Sequence, residues 1–303
     1  MDITNQVLTR PNQDKEHRET QSRAVSYRVY YIQGDAQCLI ELAALSKNIE
    51  DLNDSQALDD SFKSGTHTGH PISKEDKNHA SINQLAPNQS AKQWLLAAQK
   101  LRAHCFATGF GVIFENGIDS DEYDEVCLHV VLIQGEKVIA TARLLDSQRA
   151  ARIGRFYSER EFHLADLLKP YPYGVLEVGR TCIHPDYRGG QVLRQMWQAI
   201  TNAARQLNVN AFMGCCSIPI GAGDINGWLA QLTDVNKLSV KPKYRLPPSV
   251  LSANPTIPPL LQTYLKMGAS LSEQACFDVE FHCADIWVWL PFEQVNVRYQ
   301  HLL

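Results

Sequence analysis

The run Val175-Leu176-Glu177-Val178-Gly179-Arg180-Thr181-Cys182-Ile183-His184-Pro185-Asp186-Tyr187-Arg188-Gly189-Gly190 constrains this chain more than any other stretch. Apolar and β-branched residues from Val175 to Ile183 predict a strand. Pro185 cannot donate to a ladder, so the strand ends before it. Gly189-Gly190 permits a tight turn. Leu193, Met196, Trp197, Ile200, Ala204 and Leu207 then share one helical face, and Ala211 to Cys216 reads as the next strand. A helix opening on glycines leaves backbone N–H groups free to hold a phosphate. Glu177 and Arg180 are costly in an apolar strand unless they are paired or used.

The rest of the chain must supply a sheet for this unit to join. Tyr27 to Ile32, Glu125 to Gln134, Lys137 to Leu145 and Ala284 to Leu290 read as strands, with Gly135-Glu136 turning a hairpin. Trp94, Leu95, Ala98, Leu101 and Cys105 fall on one helical face. Short helices are expected over Cys38 to Leu45, around Trp228 to Leu232, over Pro258 to Lys266 before Gly268, and over Phe292 to Tyr299. Phe156 to Leu168 is amphipathic. The chain divides into a polar, disordered tail (1–24), a first strand and short helix (25–46), a polar insertion (47–90) and a domain of mixed strands and helices (91–303), an α/β or α+β arrangement.

Composition excludes several classes. A net charge of −4 gives no bulk affinity for nucleic acid. No apolar run is long enough to span a membrane, and the polar N-terminus is not an export signal. The eight cysteines lack a C-x-x-C pair, so reduced thiols in a cytoplasm are expected. Cys215-Cys216 and Cys182-x-His184 do not assemble a four-ligand zinc set, so no metal is expected.

The stretch from Leu176 to Arg188 resembles the signature of the ornithine acyl-carrier-protein N-acyltransferases. Leu101-Arg102 with Phe106, Tyr123 to His129, Thr141 to Leu145, Phe156 to Phe162, Phe212 to Ser217 and Pro259 to Ala269 resemble further elements in the same order. The likeness spans roughly 91–303. It implies a fold like that of the GCN5-related (GNAT) acyltransferases and a kinship with the acyl-homoserine-lactone synthases. It also implies transfer of a 3-hydroxyacyl group from acyl carrier protein to the α-amine of L-ornithine, giving lyso-ornithine lipid. Acyl carrier protein would be partner and co-substrate, with no bound cofactor and with peripheral association at the inner membrane. Leu128 stands where the family often has a second acid, which keeps other amino acids or amines open as acceptors.

Each residue has a chemical and a plain reading. Glu177, desolvated in its strand, can take the proton of the amine; otherwise it is a structural acid paired with Arg180 or Arg143. Gly179 marks a bulge whose N–H meets the thioester carbonyl, as the resemblance implies, or it makes room for a neighbour. Cys182, Arg188, Gly189 and Gly190 hold the phosphopantetheine, or form an ordinary turn. Gln191 and Leu193 replace the glycines usual in acetyl-CoA enzymes, which favours a carrier-protein donor. Arg102, Asp124, Arg143 and Arg180 bind the amino acid, with Asp124 on an amine, or form an ion-pair network. Lys237, Lys241, Lys243 and Arg245 dock an acidic partner or are solvated, and Trp287 and Trp289 line an acyl tunnel or pack in the core.

Overall fold

Strand-forming runs alternate with amphipathic helices along the chain. The computed structural model describes residues 27–34, 39–41, 87–171, 174–248 and 253–303 and joins the strands into one ten-stranded sheet. The expected tail over 1–24 and nearly all of the 47–90 insertion lie outside the described residues. The strands are β1 (Arg28–Gln33), β2 (Leu39–Glu41), β3 (Leu128–Gln134), β4 (Lys137–Asp146), β5 (Val175–Ile183), β6 (Ala211–Pro219), β7 (Lys237–Leu238), β8 (Ser270–Ser272), β9 (Cys276–Asp278) and β10 (Cys283–Pro291). The helices are α1 (Pro87–Phe110), α2 (Ser147–Ile153), α3 (Ala165–Leu168), α4 (Gly190–Gln206), α5 (Ile225–Gln231) and α6 (Pro259–Met267). Strand order is β2-β1-β3-β4-β5-β6-β10-β8-β7, with β9 also on β10. The β5–β6 and β7–β8 pairs are parallel and the others antiparallel.

Several expectations are corrected. Leu39–Glu41, placed in a short helix, is a strand against β1, with Tyr30 opposite Glu41. A short apolar run fits either period, and the free edge of β1 decides it. Helix α1 begins at Pro87, and β3 begins at Leu128 rather than Glu125, after a 3₁₀ turn over Glu122–Glu125. The closing helix is two 3₁₀ turns, Phe292–Gln294 and Val297–Leu302.

Period-2 alternation gives the sheet two faces. One face, with Leu176, Val178, Phe212, Ile286 and Val288, packs on Met196, Trp197 and Ile200 of α4 and on Leu261 and Tyr264 of α6. Met196 is wholly buried, and each such side chain contributes about 1.5–3 kcal/mol. The other face carries Leu145, Met213, Trp287 and Trp289 under Phe162 and its loop, while α1 covers Tyr30, Ile32, Val131 and Ile133. Trp287 and Trp289 stack at 5.8 Å inside this core, so they pack the domain rather than line a tunnel.

The sheet parts at one place. β5 and β6 pair only at Val175–Ala211, Leu176–Phe212 and Glu177–Met213. Beyond that, β6 stays with β10 and β5 stays with β4. A Cβ on Gly214 would lie 2.4 Å from the Val178 carbonyl oxygen, so glycine lets the two strands pass closely before they separate. On its other side β5 is bulged: Thr141 and Arg143 of β4 oppose Cys182 and Gly179, which leaves an extra residue on β5. Arg180, within the bulge, has φ +48°.

Candidate active site

A cavity of about 710 Å³ occupies the parting and is walled by residues from both faces of the sheet. Its size is ordinary for a small-molecule site. On the α4 face its wall includes Leu193, Cys216, Leu260 and Tyr264. On the opposite face it includes Arg143, Tyr157, Glu177, Arg180, Cys215 and Asp285. Exposed Arg188 and Gly189 lie on the wall where α4 begins. Gly190 is the first residue of that helix, whose first backbone N–H groups have no partner within it.

Glu177 is 3% exposed. It is not ion-paired to Arg180 or Arg143 in the plain sense expected. Its oxygens accept from the Tyr157 N–H (2.6 Å), the Ser158 N–H (2.7 Å) and the Ser158 hydroxyl. Burial pushes the carboxyl up, opposed by the Ser158 and Tyr157 donors and by the charge of Arg143. Gly179 follows it on the cavity wall, and a Cβ there would meet nothing within 4 Å. The glycine therefore makes no room for a neighbour; it leaves cavity space beside the bulge. Cys182 is buried on the same wall, and its thiol is pushed up by the Cys105 thiol beside it and by burial.

The four charged residues expected to bind substrate divide into two pairs. Arg102 is wholly buried, with Nε 2.7 Å from Asp119 Oδ2 and Nη2 2.7 Å from Asp124 Oδ1. Asp124 also accepts from Arg143 Nη1 (3.1 Å) and from the Asp121 N–H (3.0 Å). Against the upward push of burial, the guanidinium groups of Arg102 and Arg143 hold the Asp124 carboxyl well below the usual carboxylate range. Neither Arg102 nor Asp124 is on the cavity wall. The expectation that they touch the amino acid is corrected: Asp124 closes a local cap with Asp121 and has its oxygens occupied. His129, whose Nε2–H donates to the Asp124 carbonyl (3.0 Å), is pushed down to about 4 by burial and is neutral near pH 7.

Arg143 and Arg180 do reach the cavity. Arg143 holds Asp121 Oδ1 at 2.6 Å. Arg180 Nε lies 3.3 Å from Asp119 and its Nη2 3.5 Å from Asp121, and its guanidinium sits 4.8 Å from the Tyr157 ring centroid and 4.6 Å from that of Phe281. Arg102, Arg143 and Arg180 thus balance Asp119, Asp121 and Asp124.

A second group of acids was not singled out from the sequence. Glu161, Cys215 and Asp285 bring their ligand atoms within 4.8 Å of one another, and Asp278 joins Asp285 through Cys283 in the same way. Asp285 carried a signal: like Glu177 it is an acid in an apolar strand, two residues from Trp287. Glu161 comes from a loop held by the Phe162–Pro242 bridge and carried none. The basic stretch packs behind it, where the Lys243 N–H donates to the Glu161 carbonyl (2.7 Å) while the Lys243 ammonium reaches the Glu159 carbonyl. Lys241, Lys243 and Arg245 are exposed.

Residues 101–198 match the Acetyltransferase (GNAT) domain family. The L-ornithine N(α)-acyltransferase of Rhizobium meliloti (strain 1021) is 31% identical over 205 residues, 60% of this chain and 69% of that one. The enzyme of the same name from Rhodobacter capsulatus is 27% identical over 235 residues, 69% of this chain and 90% of that one. The AHL synthase LasI shows a looser likeness, 13% identical over 73% of this chain and 90% of that one, with a TM-score of 0.42. With its GNAT-type sheet, parted at β5 and β6, this N-acyltransferase chain belongs to the L-ornithine N(α)-acyltransferase family.

Proposed function

We propose that the chain transfers a 3-hydroxyacyl group from the phosphopantetheine thioester of an acyl carrier protein to the α-amine of L-ornithine, giving lyso-ornithine lipid for membrane lipid synthesis. The observation that carries this reading is the cavity crossing the sheet beside Glu177, where a donor and an acceptor can meet from opposite faces. The pantetheine lies in the parting, its phosphate at Arg188, Gly189 and Gly190 and its arm past Cys182. A backbone N–H at the bulge, that of Gly179, meets the carbonyl oxygen as it gains charge. Glu177 takes one proton from the substrate ammonium. The free amine attacks the carbonyl carbon, the C–N bond forms and the C–S bond breaks, and the second amine proton leaves with the sulfur. Arg143 and Arg180 face the amino-acid carboxylate, and the ion pairs behind them hold their orientation. The carrier protein and the membrane are the partners of this reading. Among the described residues no helix is long and apolar enough to cross a membrane.

The test is acyl transfer by the purified protein from a 3-hydroxyacyl carrier protein to a panel of amino acids, read by product mass. Ornithine is expected to lead. Glu177→Gln should lower kcat about 10²–10⁴-fold, the usual contribution of a positioned base, with the KM for the carrier protein unchanged. Transfer from acetyl-CoA alone, or full activity in Glu177→Gln, overturns the reading.

A further inference from the structure

Two buried acids, Asp278 and Asp285, border the cavity, and a third, Glu161, lies behind them against Asp285 and Cys215, with no cation among the three. Glu161 is 5% exposed, Asp285 3% and Asp278 8%. Among the described residues none of the three is ion-paired. Arg160, the cation nearest in sequence, reaches Glu280 instead, and the Lys243 ammonium is held by a backbone carbonyl. Asp278 uses one oxygen to accept from the Glu280 and Phe281 N–H groups. Asp285 receives the Cys283 thiol at 3.5 Å. Glu161 Oε2 is buried and has no hydrogen-bond partner, although its side chain converges on Asp285 and Cys215. A buried carboxylate oxygen with no donor costs free energy unless one arrives.

From this geometry we infer that Glu161 and Asp285, with Asp278 at the cavity edge, form a subsite for a second ammonium group of the amine substrate. The inference deepens the ornithine reading and rests on it. The cluster lies on the same face of the sheet as Glu177, since Glu177 pairs with Met213, and Cys215 and Ser217 continue that face to Asp285. Ser158 Oγ, which donates to Glu177, is 3.5 Å from Cys215 Sγ, so the cluster sits no more than about 11 Å from the Glu177 carboxylate. A five-carbon diamino acid spans roughly 6 Å between its nitrogens when extended, so with a hydrogen bond of about 3 Å at each end it reaches any separation up to that limit. The α-amine then stands at Glu177 while the distal ammonium stands between Asp285 and Glu161. Arg102, Arg143 and Arg180 are committed to Asp119, Asp121 and Asp124, so the cluster has no internal competitor for the cation. Empty, the cluster resists ionisation, because burial and the neighbouring acid push Glu161 up and burial does the same to Asp285. Docking of an ammonium favours the ionised form, and the proton given up goes to solvent.

The experiment compares L-ornithine with L-norvaline, which keeps the carbon chain and lacks the second nitrogen. Wild-type protein, Asp285→Asn and Glu161→Gln are assayed with the same acyl carrier protein, and folding is checked by thermal melting. The ratio of kcat/KM for ornithine over norvaline is expected to be at least about 100 in the wild type, because a site built for a polar group rejects the analogue that leaves it unpaired. It should collapse toward about 1 in Asp285→Asn, mostly through the KM for ornithine, and fall less far in Glu161→Gln. Calorimetry of ornithine binding in buffers of different ionisation enthalpy should show proton release with wild type and none with Asp285→Asn. An unchanged ratio in both variants overturns the subsite and leaves ornithine as the substrate. A wild type that acylates another amine and not ornithine overturns the substrate reading and the subsite with it. A preference abolished by a chelator and restored by a divalent cation assigns the cluster to a metal and overturns the inference.

Discussion

Two sets of buried charges, each reaching the cavity wall through two of its members, obey opposite rules. In the first, Arg102, Arg143 and Arg180 meet Asp119, Asp121 and Asp124 one for one, at distances from 2.6 to 3.5 Å. In the second, Glu161, Asp278 and Asp285 have only thiols, hydroxyls and backbone N–H groups for company. Burial disfavours charge in both. In the first, paired charges overcome it, and Asp124 is held ionised. In the second no cation opposes it, and Glu161 and Asp285 are pushed up by burial. The balanced set therefore serves as scaffold, and the unbalanced set is the part of the wall left incomplete.

The comparison can be broken most severely from the balanced side. Arg102→Met takes one of three cations out of the buried network, leaving Asp119 only Arg180 and Asp124 only Arg143, and should cost about 3–5 kcal/mol of stability, read as a lowered urea midpoint. A cost below about 1 kcal/mol would mean that the network is loosely solvated and the contrast unreal. The same operation on the unbalanced side should have the opposite sign. Asp285→Asn removes a buried acid whose ionisation no neighbouring cation supports and should stabilise the fold by about 0.5–2 kcal/mol while impairing turnover of ornithine, the usual exchange of stability for function.

The smallest effect is in pH dependence, where the two sets should slope in opposite directions. Asp124 has a folded value below its unfolded one, so its contribution is present above about pH 4 and is lost as pH falls through the acid range. Asp285 and Glu161 have folded values above their unfolded ones, so the folded state binds more protons and their contribution declines as pH rises beyond about 4. Urea midpoints from pH 3 to pH 8 should show the wild type losing more stability than Asp285→Asn as pH rises beyond about 4. Parallel curves would reject the assignment.

Much of the frame was legible before any coordinates. The strand, turn and helix from Val175 to Leu207 declared themselves through two clean periods, as did the β3–β4 hairpin and β10. Glu177 was legible because an acid interrupts an apolar strand, and it lies on the cavity wall. Asp285 interrupts β10 in the same manner and could have been read the same way. Glu161 could not, because what buries it is a bridge to Pro242 and a strand far along the chain. Asp124 was misjudged for a related reason: its type suits an amine, but its place in a 3₁₀ cap and the approach of Arg102 and Arg143 are tertiary facts. Leu39–Glu41 carries too few residues for either period to dominate, and only the edge of β1 makes it a strand.

The brevity of the β5–β6 ladder, three residue pairs against nine for β6–β10, has a consequence for traffic. A window through a sheet is a passage with no door. On the proposed reading a slender thiol-bearing arm is threaded from the helical side while a small, highly charged guest waits on the other. The two never share a corridor, and a long greasy product can be withdrawn the way its tail came in. Nothing in the frame has to swing aside for either of them.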